Sequence, residues 1–300
     1  MIIIAVLGVI AIMLYQVLSL NLDAIHTANF YAGLRSKQTA YYIGRSGMDI
    51  ARQALSQDDA KVDSLQDFWA SQLATIPLDE GTIKITMVDE ERYFNPNSLI
   101  KSDGTLEKKH YEQFRRLLKL LLIDQDKANL VVDWIDPDIN PTLPGGGETG
   151  DKPIKNAPLD SINELLYIPG IEKEDYLGKE SGGKFFTGLK DNLSIYSNGK
   201  INLNTASLDL IRSLDDEITE SMAQEIVDRR KDKPFEELED LLNIPGFTRE
   251  LIYRITYLAD IKSSNFRILC QIKIGDSTTQ VTGVINREES GSRLKYIKIE

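Results

Sequence analysis

Cysteine is all but absent. Cys270 is the single one, so neither an intrachain disulfide nor a thiolate metal cluster can form. It lies in an alternating apolar run (Phe266, Ile268, Cys270, Ile272, Ile274) and reads as a small core residue. Histidine is nearly as scarce. His26 and His110 stand far apart, which leaves no basis for a His-built metal site or catalytic triad. Positive charge is in deficit, with 35 Lys and Arg against 46 Asp and Glu, a net charge of −11. Affinity for a phosphate backbone comes largely from displaced counterions, so this balance argues against broad nucleic-acid binding. The run Gly145–Gly150 has the glycine spacing of a phosphate-binding loop, but Asp151 stands where the lysine is needed. Acidic residues are too numerous for any pair to stand out as acid and base, and the chain reads as non-enzymatic.

Charge is missing altogether between Met1 and Leu22, where the run MIIIAVLGVIAIMLYQVLSL is almost wholly apolar. About 20 such residues span the hydrocarbon core of a bilayer as a helix. A buried soluble helix would show a polar face, and a cleaved signal would show a shorter apolar core behind a basic start. Residues 1–22 are therefore expected to be a retained transmembrane helix. From Asp23 the pattern turns amphipathic without proline, with Ile25, Phe30, Leu34, Tyr41, Met48 and Ile50 near helical spacing. Residues 23–58 are expected to continue the helix, with a kink near Gly33 or Gly44 as the alternative to one straight rod.

The body mixes strands and helices. Thr82–Val88 alternates and reads as a strand, and Phe266–Ile274, Thr279–Ile285 and Leu294–Ile299 read as an antiparallel meander. Between them lie amphipathic helices through Tyr111–Leu121 and Ala128–Ile135, then shorter ones near Leu208–Leu214, Met222–Arg230, Phe235–Leu242 and Leu251–Leu258. Ser161 and Glu164 have the spacing of a capping box. The expected class is α+β, a long N-terminal helix on an antiparallel sheet with an all-α domain inserted. Its parts would be 59–105, the insert 106–260 and the terminal meander 261–300, with residues 184–204 a candidate return to the sheet. Within the insert, Leu165–Ile171 (LLYIPGI) is echoed by Leu241–Phe247 (LLNIPGF), each an apolar helix end stopped by Pro-Gly.

Two features carry chemistry. In VDWIDPDINPTLPGGGETGDKP, the oxygen donors Asp133, Asp136, Asp138, Asn140, Glu148 and Asp151 surround a Gly/Pro-rich loop. Such donors suit Ca²⁺, although the spacing is not that of an EF-hand and a solvated acidic loop would look the same. The second is Ile201–Ala206 (INLNTA) followed by Lys233-Pro234-Phe235 and the second Pro-Gly unit, which resembles the helix-hairpin-helix modules of membrane-anchored competence proteins that bind DNA outside the cytoplasm. The first hairpin position here is Leu214-Asp215-Asp216-Glu217-Ile218 and the second is Pro245-Gly246-Phe247-Thr248-Arg249. Three carboxylates at the first would repel phosphate, so the hairpins read as packing units and no nucleic acid is expected.

Taken in order, these pieces resemble the K-type minor pseudopilins of the type II secretion system. The resemblance rests on the N-terminal helix, Phe94-Asn95-Pro96-Asn97, Leu130–Asp138 (LVVDWIDPD), Asn156-Ala157-Pro158-Leu159 with Glu164-Leu165, INLNTA, and Arg229-Arg230 before Lys233-Pro234-Phe235. It implies a pilin-like fold with inserted helix-hairpin-helix-like units, and a place at the pseudopilus tip, nucleating or capping the filament during protein export. It implies I- and J-type minor pseudopilins and the major pseudopilin as partners, and calcium in loops of the insert. It also implies a single-pass protein of the bacterial inner membrane with its body in the periplasm. Such proteins are made with a short basic leader ending in Gly. The sequence begins at Met1, either as a mature form or inside the true start, and Ala5 then occupies the position where most pilin-like chains carry Glu.

Overall fold

The computed structural model describes residues 2–71, 75–79, 81–142, 144–147, 154–275, 277–288 and 291–299. The chain opens with one unbroken helix, α1 (Ile2–Ser56), on the order of 80 Å long at about 1.5 Å per residue. Two strands follow, β1 (Ile76–Leu78) and β2 (Gly81–Asp89). The chain then enters a helical region with α2 (Lys108–Leu120), α3 (Lys127–Ile135) and α4 (Lys173–Leu177). A small hairpin, β3 (Gly178–Ser181) with β4 (Lys184–Thr187), leads to α5 (Leu189–Asn192) and β5 (Ile201–Asn202). Next come α6 (Leu208–Arg212), α7 (Glu220–Asp232), α8 (Arg249–Ile255) and β6 (Ala259–Asp260). Three long strands close the chain: β7 (Asn265–Ile274), β8 (Ser277–Glu288) and β9 (Gly291–Ile299).

The main sheet has five antiparallel strands in the order β1-β2-β7-β8-β9. Its central pair, β2 and β7, are far apart in sequence yet register from Gly81↔Ile274 to Asp89↔Phe266. The helical region is therefore an insertion between neighbouring strands. Alternation sets the faces: Ile83, Ile85, Phe266, Ile268, Cys270, Ile272, Val281 and Ile285 are buried together with Ala40, Met48, Ala51 and Leu55 of α1. Gly33 and Gly44 produce no break in α1. Gly44 and Gly47 instead let helix and sheet touch, since a Cβ at either would stand 2.6 Å from Val281 or from the Cys270 sulfur. The Cys270 Sγ–H donates to the Gly44 carbonyl at 3.7 Å, and burial pushes the thiol up to about 12. It is the core residue that its alternating run indicates.

The insert has its own core. Phe94 stacks on Phe114 with ring centroids 5.1 Å apart, and Leu117, Val131, Leu165, Leu210, Ile226, Leu241 and Leu251 join them. The insert is not purely helical, as the sequence suggested. Gly182 and Gly183, both at positive φ, turn the β3–β4 hairpin, a conformation that two adjacent glycines allow freely. Residues 184–204 do not rejoin the main sheet either. Lys184–Thr187 pairs with β3, and Ile201–Asn202 pairs in parallel with β6. The repeated segments are near copies in three dimensions. Ile162–Tyr167 and Leu238–Asn243 are 3-10 turns opened by capping boxes, each ended by Pro-Gly with Gly170 at φ 98° and Gly246 at φ 100°.

Candidate functional site

The acidic loop predicted from sequence is organised around one side chain. Asp133, buried near the end of α3, accepts the backbone N–H of Thr142 at 2.8 Å and of Gly147 at 2.6 Å. Asn129, one turn earlier, donates from its amide to the Pro144 carbonyl at 2.6 Å. The loop is thus moulded onto α3 by side chains of the helix itself. Asp136, the C-cap of α3, is also buried. Asp138 and Asn140 are exposed and bond to each other, the Asn140 N–H donating to Asp138 Oδ1 at 2.7 Å. Glu148 and Asp151 lie outside the described residues. Asp133, Asp136 and Asp138 are hard oxygen donors of the kind that calcium takes, but they do not come together as a close group of three among the described residues.

A second acidic centre was not singled out by the sequence. Asp63, Asp89, Glu90 and Glu91 are all buried where sheet and insert meet. Asp89 accepts from Thr205 Oγ1 at 2.5 Å and from Asn202 Nδ2 at 3.2 Å. Glu90 accepts from Ser194 Oγ and stands 3.0 Å from Arg267 Nε. Glu91 accepts from Asn265 Nδ2 at 2.7 Å and from Ser264 Oγ at 3.1 Å. Asn202 also donates to Ser263 Oγ and to the Asp63 carbonyl. Asn204 closes a two-way bond with the Phe235 backbone, and Asn97 does the same with Leu159. The asparagines of FNPN and INLNTA are therefore clamps between segments distant in sequence.

Burial dominates the titration of this centre. It raises Asp63 to about 7 and Glu91 to about 8, with the neighbouring Asp89 charge adding to the latter, and it also raises Asp89 and Glu90. The folded chain therefore keeps protons that the unfolded chain releases near the ordinary carboxylate range of about 4. Folded-state pKa values above unfolded ones make stability fall as pH rises through that window. The midpoint of thermal unfolding is expected to be higher at pH 5.5 than at pH 8.5. A midpoint that rises with pH over that range would contradict the assignment.

Beside this centre, carboxylate oxygens of Asp58, Asp63 and Asp67 lie within 4.8 Å of one another, the only such group of three among the described residues. Arg287 supplies the counter-charge, reaching Asp58 at 3.1 Å and also binding Asp63. Asp67 is engaged by Ser64 and by the Trp69 indole N–H.

The remaining candidate surface is α1. From Ile2 through Leu34 it is almost wholly exposed, and its most apolar window has a mean hydropathy of 2.6 with none of it buried within the chain. This is one helix long and apolar enough to cross a membrane. The hairpin positions considered for DNA are occupied differently. Asp215 is held by Arg254 at 2.9 Å, with Glu217 on the same guanidinium at 2.8 Å, and Asn202 and Asn204 are buried. At the first position the Glu217 N–H donates to Asp215 Oδ1 at 3.0 Å.

Comparison with known proteins agrees on one lineage. Two family models, both described as type II secretion system (T2SS), protein K, match residues 92–178 and 201–255. These spans hold most of the insert, including LVVDWIDPD, NAPL, INLNTA and both Pro-Gly units. A type II secretion system protein K of Aeromonas hydrophila is 25% identical over 290 residues, covering 89% of this chain and 85% of its own. The fold matches a chain in the crystal structure of the GspK-GspI-GspJ complex from the enterotoxigenic Escherichia coli type 2 secretion system. That match has a TM-score of 0.70 at 20% identity and covers 89% of this chain and 98% of that one. With the long apolar helix, the interrupted sheet and the clamped insert all in place, the chain is similar in sequence and in fold to the type II secretion system protein K family, the K-type minor pseudopilins.

Proposed function

We propose that the chain is a non-enzymatic tip subunit of a type II secretion pseudopilus, nucleating or capping the filament with I- and J-type minor pseudopilins and meeting the major pseudopilin below. The observation that carries this reading is α1: its first half is apolar and bare, while its second half is locked to the sheet through Gly44 and Gly47. Such a helix can sit in the inner membrane, with the body in the periplasm, and later pack against like helices in a filament core. The bulky insert suits a subunit with nothing stacked above it. Its two Pro-Gly units act as helix-hairpin-helix-like packing elements. Calcium belongs to this reading as a stabiliser of the insert: Asp133 and Asp136 would hold it, with Asp138, Asn140, Glu148 and Asp151 as further donors. A divalent cation there would offset buried negative charge. The test is capture of I- and J-type pseudopilin domains by the full chain in neutral detergent, with calcium or with chelator, beside a duplex DNA control. Capture of both domains without DNA retention is expected, weakened by chelator. DNA retention with no pseudopilin capture would overturn the reading, and capture indifferent to chelator would remove calcium from it.

A further inference from the structure

The main sheet has a second face, and its charge is opposite to that of the chain. Facing away from α1, the registered rows run Lys84↔Gln271↔Gln280, Thr86↔Leu269↔Thr282↔Lys298, and Val88↔Arg267↔Val284↔Tyr296. One row further on, Lys273 stands between Thr82 and Thr278. This face carries the cations Lys84, Arg267, Lys273, Lys298 and, one row beyond Arg267, Arg293. Its other outward strand positions are mostly uncharged, with Glu288 at the far end of β8 as the carboxylate among them. In a chain of net charge −11, such a face is a local inversion of sign.

At one end the face runs into the insert and becomes a groove of about 220 Å³. Arg267, Thr282, Tyr296 and Lys298 form the sheet side, and the segments at Ser161–Asn163 and Leu193–Tyr196 form the other. The rings of Tyr196 and Tyr296 meet across it with centroids 5.9 Å apart. The Arg267 guanidinium is fixed at the groove wall, with Nε 3.0 Å from Glu90 and the group lying over the Tyr93 ring at 5.7 Å. A pre-positioned cation, a second cation on the neighbouring edge strand and two amphipathic rings suit a carboxylate carried on a chain. Ordering costs are low because Arg267 is already held.

We propose that the outer sheet face and this groove form a docking surface for an acidic segment of a partner polypeptide, with a carboxylate received between Arg267 and Lys298. Charge complementarity selects the partner. A polyanion such as duplex DNA would bring its dense charge against the acidic remainder of the chain, whereas a short acidic segment need only meet the inverted patch. The inference does not depend on the tip-subunit reading, because its probe is a synthetic peptide.

The test uses the full chain in neutral detergent and a fluorescein-labelled 12-residue peptide of alternating Glu and Ser, read by anisotropy at low and moderate salt. A peptide of alternating Gln and Ser and a labelled DNA duplex run in parallel. The Glu peptide is expected to bind, more weakly as salt rises, and the Gln peptide to bind at least about tenfold more weakly. Lys298→Glu and Lys84→Glu should each lower affinity roughly tenfold, with Lys173→Glu on the exposed side of the insert leaving it unchanged. Thermal melts of each variant check folding. Equal binding of the Gln peptide, absence of Glu-peptide binding at low salt, or equal effects of Lys298→Glu and Lys173→Glu would overturn the proposal. Preference for DNA over the Glu peptide would also overturn it.

Discussion

Arg287→Ala is expected to destabilise the folded chain by about 3–5 kcal/mol, the range for breaking a buried ion pair from one side. Arg287 is 9% exposed at its side chain and Asp63 is fully enclosed, so water cannot replace the guanidinium once it is gone. The same group reaches Asp58 at 3.1 Å, donates to the Ser263 carbonyl at 2.8 Å and lies over the Phe266 ring at 5.0 Å. Its loss therefore strikes α1's exit, the start of β7 and the edge of the sheet core together. The effect should depend on pH in a fixed direction. Burial already raises Asp63 to about 7 with Arg287 present, and without it the carboxyl moves higher and is more costly to ionise. Denaturant unfolding at pH 8 should show a larger loss than at pH 5.5. Equal losses at both would assign the effect to packing on Phe266, with charge playing no part.

Phe94→Ala should cost a similar amount, about 3–5 kcal/mol, for a different reason. Phe94 is completely buried, parallel to Phe114 at 5.1 Å and edge-on to His110 at 6.3 Å. Its backbone also bridges to the far side of the insert, taking a bond from Ser194 N–H at 2.9 Å and giving one to the Asn192 carbonyl at 3.0 Å. Truncation leaves a cavity at the point where the chain leaves β2 for the insert. Phe185→Ala is the matched control, since Phe185 is 56% exposed and should change stability by no more than about 0.5 kcal/mol. The comparison is made by chemical denaturation. Equal midpoints for the two variants would refute the placement of Phe94 in the core.

How much of this was legible beforehand depends on the range of the interaction. The long helix, β2 and the terminal meander follow from local periodicity, which needs only neighbouring residues. The capping box at Ser161 and Glu164 is equally local and is present. The clamps were not legible. Asn202 bonds with Asp63 and Asp89, and Asn97 with Leu159, so their roles exist only once distant segments meet. Asp89, Glu90 and Glu91 were indistinguishable from other acids. Their one available signal was position, three carboxylates ending an alternating strand, with Arg92 between them and the aromatic pair Tyr93-Phe94. At the acidic loop the sequence pointed to Asp133 as an oxygen donor, but not to the bonds that mould the loop around it. The β3–β4 hairpin was hidden because Phe185 and Phe186 are adjacent and break the alternation on which strand recognition relies.

The adjacency of β2 and β7 also bears on the order in which this chain can fold. Joining them closes a loop of about 175 residues, which for an unstructured segment costs on the order of 4–5 kcal/mol in chain entropy. An insert that compacts first brings its own two ends together, as the bond from the Glu90 N–H to the Asn265 carbonyl at 2.9 Å illustrates. The sheet then only has to zip. A chain delivered N-terminus first would hold α1 and β2 waiting, their apolar faces open, until the whole insert had emerged and folded. Speed of insert folding thus governs how long this protein is vulnerable to aggregation, and weakening the insert lengthens that interval even where the sheet itself is untouched.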